Sequence, residues 1–239
     1  MREGLRVSFL FYDAFDEIAK VMIASVRQHM PNAIVTQLTD LKTRKIPGVD
    51  EIRRIDGKTY GYLLGMHMIS CPVPFIKLDY DMVLQGDISH ILDGDHEMAF
   101  NLLGDDRILD TEYGKRYPIA ASVYGAKSHR FAKALREENV KHVTDDWLGG
   151  AHNHNEVAKR FNCKLLNGHV YNYTPKHPED KPAHALVLHY KGLRKHWMVA
   201  PEMHARAKQD EQRIVQKVKT YVAPDLLEEQ HPRSVVNAK

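Results

Sequence analysis

Two aspartates one residue apart, Asp79 and Asp81, stand in FIKLDYDMVLQGDIS, residues 75–89, directly after a mostly apolar run. Side chains two apart on an extended chain point the same way. The two carboxylates can therefore face one point while Tyr80 faces another. Carboxylates a few ångströms apart repel, and both stay ionised comfortably only with a cation between them. Hard oxygen ligands suit Mg2+, Mn2+ or Ca2+. An ion held by two side chains keeps open positions that phosphate oxygens can fill. The pair thus reads as part of a metal–diphosphate clamp. The bland alternative is a solvated strand end with two surface acids. Val83-Leu84 just beyond the pair, where the chain turns apolar again, argues against it.

A second group of chemically capable residues lies in LHYKGLRKHWM, residues 188–198. His189 ends an apolar run, Gly192 permits a tight turn, Lys195 follows, and Trp197 closes the segment. Such a histidine can serve as a third metal ligand, and such a lysine can neutralise a diphosphate. A glycine lets the backbone approach phosphate oxygens. His189 can equally end a buried strand and bond only to the backbone.

The two segments together resemble the glycosyltransferases of the glycogenin and bacterial lipopolysaccharide galactosyltransferase group, family 8. That family has a hydrophobic strand ending in D-x-D, often with G-D soon after, as at Gly86-Asp87 here. It also has a late H-F-x-G-x-x-K-P-W segment. In this chain that segment reads His189-Tyr190-Lys191-Gly192-Leu193-Arg194-Lys195-His196-Trp197, with Tyr for Phe and His196 for Pro. The resemblance spans roughly residues 6–198. It implies a GT-A fold: α/β, Rossmann-like, a mixed and mainly parallel sheet flanked by helices. It also implies a nucleotide-sugar donor, a UDP-sugar by preference, with Mn2+ as the ion and Mg2+ as its substitute. On this resemblance Asp79, Asp81 and His189 bind the metal, and Gly192 and Lys195 bind the diphosphate, Lys195 also serving catalysis. Phe11, Tyr12 and Asp13, at the end of the first strand, border the base and ribose. Retention of anomeric configuration is the expected outcome.

Three departures from the family pattern bear on donor recognition. Where the helix before D-x-D often carries a donor-facing Arg or Lys, this chain has Lys58, Tyr60 and Tyr62. Lys58, Tyr62 and Tyr80 are the further side chains expected against the donor. The frequent Asn-Ser-Gly is replaced by Ala121-Ser122-Val123, and a frequent Asp-Gln corresponds loosely to Asp145-Asp146. Asp145 and Asp146 are further catalytic candidates, one of them contacting the sugar hydroxyls or the acceptor. As acids at a helix start they are also explained by the helix dipole alone. His152 and His154, in GGAHNHNE, read as a solvated loop or helix face rather than a metal site.

Ordinary elements suffice to position these residues. RVSFLFY (6–12) has the near-continuous apolar character of a strand buried on both faces. A helix over about 14–30 puts Ile18, Val21, Met22, Val26 and His29 on one stripe, and Pro31 closes it. Strands are expected at 33–39, 49–55, 75–81, 97–103, 118–126, 164–173 and 184–190. Helices are expected at 58–70, 128–139 and 145–161, with a short one opened by Asp87. Alternation of strands and helices in the first half argues for a parallel sheet between helix layers. Such sheets bind ligands beyond the carboxyl ends of their strands, where Asp79 and Asp81 stand.

The bulk numbers allow one large α/β domain. The chain has 239 residues, 43% of them hydrophobic, and a net charge of +3, too mild to announce nucleic-acid binding. Residues 1–200 read as the transferase domain and 201–239 as a C-terminal helix, with Ile214, Val218 and Tyr221 on one stripe, and a tail. Cys71 and Cys163 lack metal or redox spacing and read as buried thiols. No run reaches the length of a membrane span, and the basic, then apolar N-terminus reads as a first strand. A cytoplasmic enzyme is expected. The acceptor is a saccharide, lipid-linked sugar, protein or modified nucleobase. Two rivals explain D-x-D otherwise. One is a phosphatase of the haloacid-dehalogenase type, where the pair usually ends the first strand. The other is a silent nucleotide-sugar or nucleic-acid binding module.

Overall fold

The computed structural model describes residues 4–11, 15–55, 69–104, 110–141, 147–209 and 212. Strand β1 (Arg6–Leu10) lies between β2 (Ile34–Thr39) and β4 (Phe75–Asp79), parallel to both, and β3 (Glu51–Arg54) extends the sheet beside β2. Beyond β4 the direction reverses. β7 (Ile119–Ala126) runs antiparallel to β4 and to β6 (Met98–Leu102), and β8 (Cys163–Leu166) runs parallel to β6. The order is β3-β2-β1-β4-β7-β6-β8. The sheet is thus mixed and mainly parallel, as expected, and Asp79 ends a strand at its centre.

Helix α1 (Asp16–His29) buries Ala19, Met22, Ile23 and Val26 against one face of the sheet, over Val7, Phe9, Val35 and Ile76. Met22, Ile23 and Val26, fully buried, each contribute roughly 1.5–3 kcal/mol of transfer free energy. Val21 and His29, placed on the same stripe by sequence, are only half-buried. The other face is covered by α3 (Arg130–Lys141) and α4 (Trp147–Ala158), with Phe131, Leu135 and Val157 packed on Phe75, Phe100 and Tyr124. His154 is buried there beside the Phe131 ring and His152 stacks edge-on against Tyr117, so this is not a solvated face.

Several elements escape sequence reading, a short helix and a strand among them. The loop after β6 contains a short helix, α2 (Glu112–Arg116), capped by Thr111. Just past Asp81 the chain forms β5 (Met82–Leu84), which pairs antiparallel with β9 (Val187–His189) in a separate two-stranded sheet. Buried Ser25 of α1 anchors it: its hydroxyl donates to the Met22 carbonyl at 2.7 Å and accepts from the Leu84 N–H at 3.0 Å.

The strand expected over 164–173 stops at Leu166. Asn167 accepts a hydrogen bond from the His169 N–H and starts a one-turn helix, α5 (Gly168–Tyr171). A 3-10 turn at Ser89–Leu92 stands where Asp87 was expected to open a helix, and the Asp87 carboxylate accepts from the Ser89 N–H at 2.7 Å. Past Pro201 the chain packs Met203 and Ala207 near Phe15 and Ile18. The expected helix over 58–70, but for residues 69 and 70, and the stripe of Ile214, Val218 and Tyr221 lie outside the described residues. No described helix is long and apolar enough to cross a membrane. Cys71 and Cys163 are free, and burial pushes both thiols up to about 11, so they stay protonated at neutral pH.

Candidate active site

The β5–β9 pairing brings together two segments more than a hundred residues apart. Met82 lies opposite His189, and the Tyr190 N–H donates to the Asp81 carbonyl at 3.0 Å. Asp79 ends β4 and Asp81 follows in the turn before β5. From the other side His189 ends β9, buried at 6% exposure. Its Nε2 lies 3.2 Å from Asp81 Oδ1 and 3.7 Å from Asp79 Oδ2. One ligand atom from each of the three residues falls within 4.8 Å of the others.

The imidazole is held from behind. Its Nδ1 lies 2.7 Å from Oδ1 of Asn172, which is fully buried just past α5. The amide nitrogen of Asn172 donates to the Leu102 carbonyl, which can only accept, so the amide oxygen faces the ring. Nδ1 therefore carries the proton in this pair. Nε2 then points at two carboxylate oxygens, an arrangement that needs a cation or a second proton to be favourable. The chemistry of the donor set thus fits a divalent ion. Ser122 extends the support: its hydroxyl is 3.2 Å from Asn172 Oδ1 and 3.3 Å from Asn101 Oδ1, all three residues being buried.

The remaining oxygens of the pair face cations. Asp81 Oδ2 lies 3.5 Å from Lys195 Nζ, and Asp79 Oδ1 is ion-paired to Lys77. Burial alone would raise the pKa of the Asp81 carboxyl. His189 and Lys195 beside it outweigh burial and hold it well below the usual carboxylate range. Lys195 projects from a 3-10 segment (Gly192–Met198), donates to the Tyr80 hydroxyl at 3.1 Å and lies 5.0 Å from that ring's centroid. Gly192 opens the segment at φ 57°, left-handed backbone where glycine alone is unstrained. A cavity of about 600 Å3 beside this segment is lined by Lys176, Lys191, Gly192, Arg194 and Trp197.

The structure therefore brings together Asp79, Asp81, His189, Lys195 and Tyr80. Phe11 is buried at 1% exposure, edge-on to Phe9 and Tyr80. Tyr12, Asp13, Lys58, Tyr62, Asp145 and Asp146 lie outside the described residues. Sequence reading missed Lys77, Asn101 and Asn172. A lysine inside an otherwise apolar strand was the available signal for the first, and two asparagines in apolar runs for the others.

The turn that carries Asn172 rests on two glycines. A Cβ on Gly168 would collide with the Leu103 carbonyl, and one on Gly104 with the carbonyls of Asn172 and Gly168. Backbone presses on backbone here, so no side chain can yield. Gly168→Ala is expected to cost about 2–3 kcal/mol, the scale of overpacking a tight site. Urea denaturation checks this, and a variant as stable as the parent would mean that the turn is free to shift.

No protein-family model matches the sequence, and comparison with curated proteins gave no match. Solved structures do match. The glycosyltransferase GlyE of Streptococcus pneumoniae TIGR4 superposes with a TM-score of 0.60 at 17% identity, over 92% of this chain and 64% of that one. This chain thus spans slightly less than two thirds of GlyE. The galactosyltransferase LgtC, solved in complex with donor and acceptor sugar analogs, superposes with a TM-score of 0.57 at 15% identity, over 94% of this chain and 99% of that one. At such identities the likeness establishes the fold, which is the GT-A glycosyltransferase fold.

Proposed function

We propose that this chain is a metal-dependent glycosyltransferase that moves a sugar from a UDP-sugar to an acceptor, with retention of configuration. The observation that carries the reading is the meeting of Asp79, Asp81 and His189 about one point, with Lys195 beside them. Two carboxylates and an imidazole suit Mn2+ better than the strictly oxygen-preferring Mg2+. When bound, such an ion supplies Lewis-acid stabilisation of a departing diphosphate. Asp79 and Asp81 hold it by charge, His189 offers Nε2, and Asn172 fixes the ring. Lys195 adds an ammonium where negative charge grows as the glycosidic bond breaks. Gly192 allows the backbone to approach the diphosphate.

The matched glycosyltransferases, LgtC with its donor and acceptor sugar analogs among them, support the same reaction class here. A haloacid-dehalogenase-type phosphatase fits less well, because Asp79 ends the fourth strand rather than the first and Lys195 and Gly192 are left unexplained. In this reading residues 1–200 form the transferase domain. Tyr12, Asp13, Lys58 and Tyr62 border the donor, and Asp145 or Asp146 meets sugar or acceptor.

UDP with Mn2+ should raise the melting temperature, and UDP without metal should raise it much less. A ligand at a hundredfold excess over Kd stabilises by about 2.7 kcal/mol. Absence of any shift with uridine nucleotides, with or without metal, removes the donor assignment. Turnover of a UDP-sugar panel separates the enzyme from a silent binding module.

A further inference from the structure

Lys77 interrupts the apolar strand that leads to Asp79, two residues ahead of it and on the same face. Its side chain is only 5% exposed. The ammonium pairs with Asp79 Oδ1, lies 3.5 Å from the Ser122 carbonyl oxygen and 5.7 Å from the Tyr124 ring centroid. Asp79 thus gives one oxygen to Lys77 and turns the other toward His189 Nε2. Asp81 is divided the same way, one oxygen toward His189 and the other toward Lys195.

Among the described residues, the two carboxylates are therefore matched by two ammonium groups before any ion arrives. A divalent cation entering between Asp79 Oδ2, Asp81 Oδ1 and His189 Nε2 meets two carboxylates whose charge these two groups already offset. Its own charge must then be met by an anion that it brings along. The two ammonium groups stand on different elements. Lys195 reaches the site from the 3-10 segment, held by Asp81 and the Tyr80 hydroxyl. Lys77 is enclosed on a central strand, and a buried charge is screened by salt far less than an exposed one.

We propose that Lys77 is a built-in counter-cation. It lowers the affinity of the Asp79–Asp81–His189 site for a bare divalent ion and so couples ion binding to the arrival of a diphosphate. The inference rests on the reading of those three residues as a metal site.

The test measures Mn2+ affinity of the full chain without nucleotide, by the electron-paramagnetic-resonance signal of the free ion, and again with UDP. Lys77→Met keeps the length and removes the charge. It should bind bare Mn2+ about tenfold to a hundredfold more tightly, the scale of one nearby charge in a partly buried site. UDP should then tighten Mn2+ binding less in Lys77→Met than in the wild type. Lys77→Arg, which keeps the charge, should stay within about threefold of the wild type, a small part of the effect of one charge. Should Lys77→Met fail to fold, Lys77→Gln takes its place, since it is neutral and can still bond to Asp79. A folded neutral variant that binds bare Mn2+ no more tightly than a wild type that does bind it overturns the role of Lys77 alone. Absence of Mn2+ binding in wild type and variant, with and without UDP, overturns the metal site and this proposal with it.

Discussion

Asp81→Asn should lower UDP-sugar turnover by about a thousandfold or more while leaving a folded protein. The substitution keeps size and shape and removes only the charge. That charge faces His189 with one oxygen and Lys195 with the other, so it touches both the proposed ion site and the proposed leaving-group cation. Loss of a single charge-stabilising group in a preorganised site costs about two to three orders of magnitude, and loss of an ion that the group holds adds to this. The fold should survive. Lys195 keeps its bond to the Tyr80 hydroxyl, and a neutral imidazole can share Nε2 with the new amide. Circular dichroism checks the fold, and Mn2+ titration checks the cause, since the variant should no longer be stabilised by the ion. Full turnover in Asp81→Asn would make the pair a structural feature of the strand end and remove the metal reading.

The aspartate pair was legible because spacing alone imposes a shared direction, and direction plus like charge calls for a cation. The His189–Lys195 segment was legible through its resemblance. Their meeting was not, because it depends on β5, whose three residues carry no local strand signal. Met82, Val83 and Leu84 become a strand by pairing with residues 187–189, and Ser25 of α1 holds the end of that strand. Long-range pairing of this kind is written in no single window. The reversal of direction at β7 is hidden for the same reason, since an apolar strand reads alike in either direction. Asn172 was hidden by a wrong element: 164–173 looked like one strand, whereas Asn167 caps a turn that swings Asn172 behind His189. Lys77 stands in an otherwise apolar strand, and only the structure finds its partner two residues on.

Lys195→Ala should cut turnover by about two to three orders of magnitude, the scale expected for one oxyanion-stabilising group. The ammonium is held by Asp81 at 3.5 Å and the Tyr80 hydroxyl at 3.1 Å, and it lies over the Tyr80 ring. Tyr80 in turn packs edge-on against Phe11 in the core, so the charge is positioned before any substrate arrives. Such preorganisation matters most where charge appears only in the transition state. The loss should therefore fall mainly on kcat, with KM for the donor changed less. A loss confined to KM would instead mean that Lys195 grips the diphosphate equally before and during bond breaking. Lys195→Arg should recover only part of the rate. A guanidinium is wider and planar, and it cannot offer the compact charge that Asp81 and Tyr80 hold between them. If Lys195→Ala loses stability yet turns over normally per folded molecule, the lysine serves only to balance buried Asp81. The reaction would then need its leaving-group cation from elsewhere, and Lys77, turned away behind Asp79, is poorly placed to supply it.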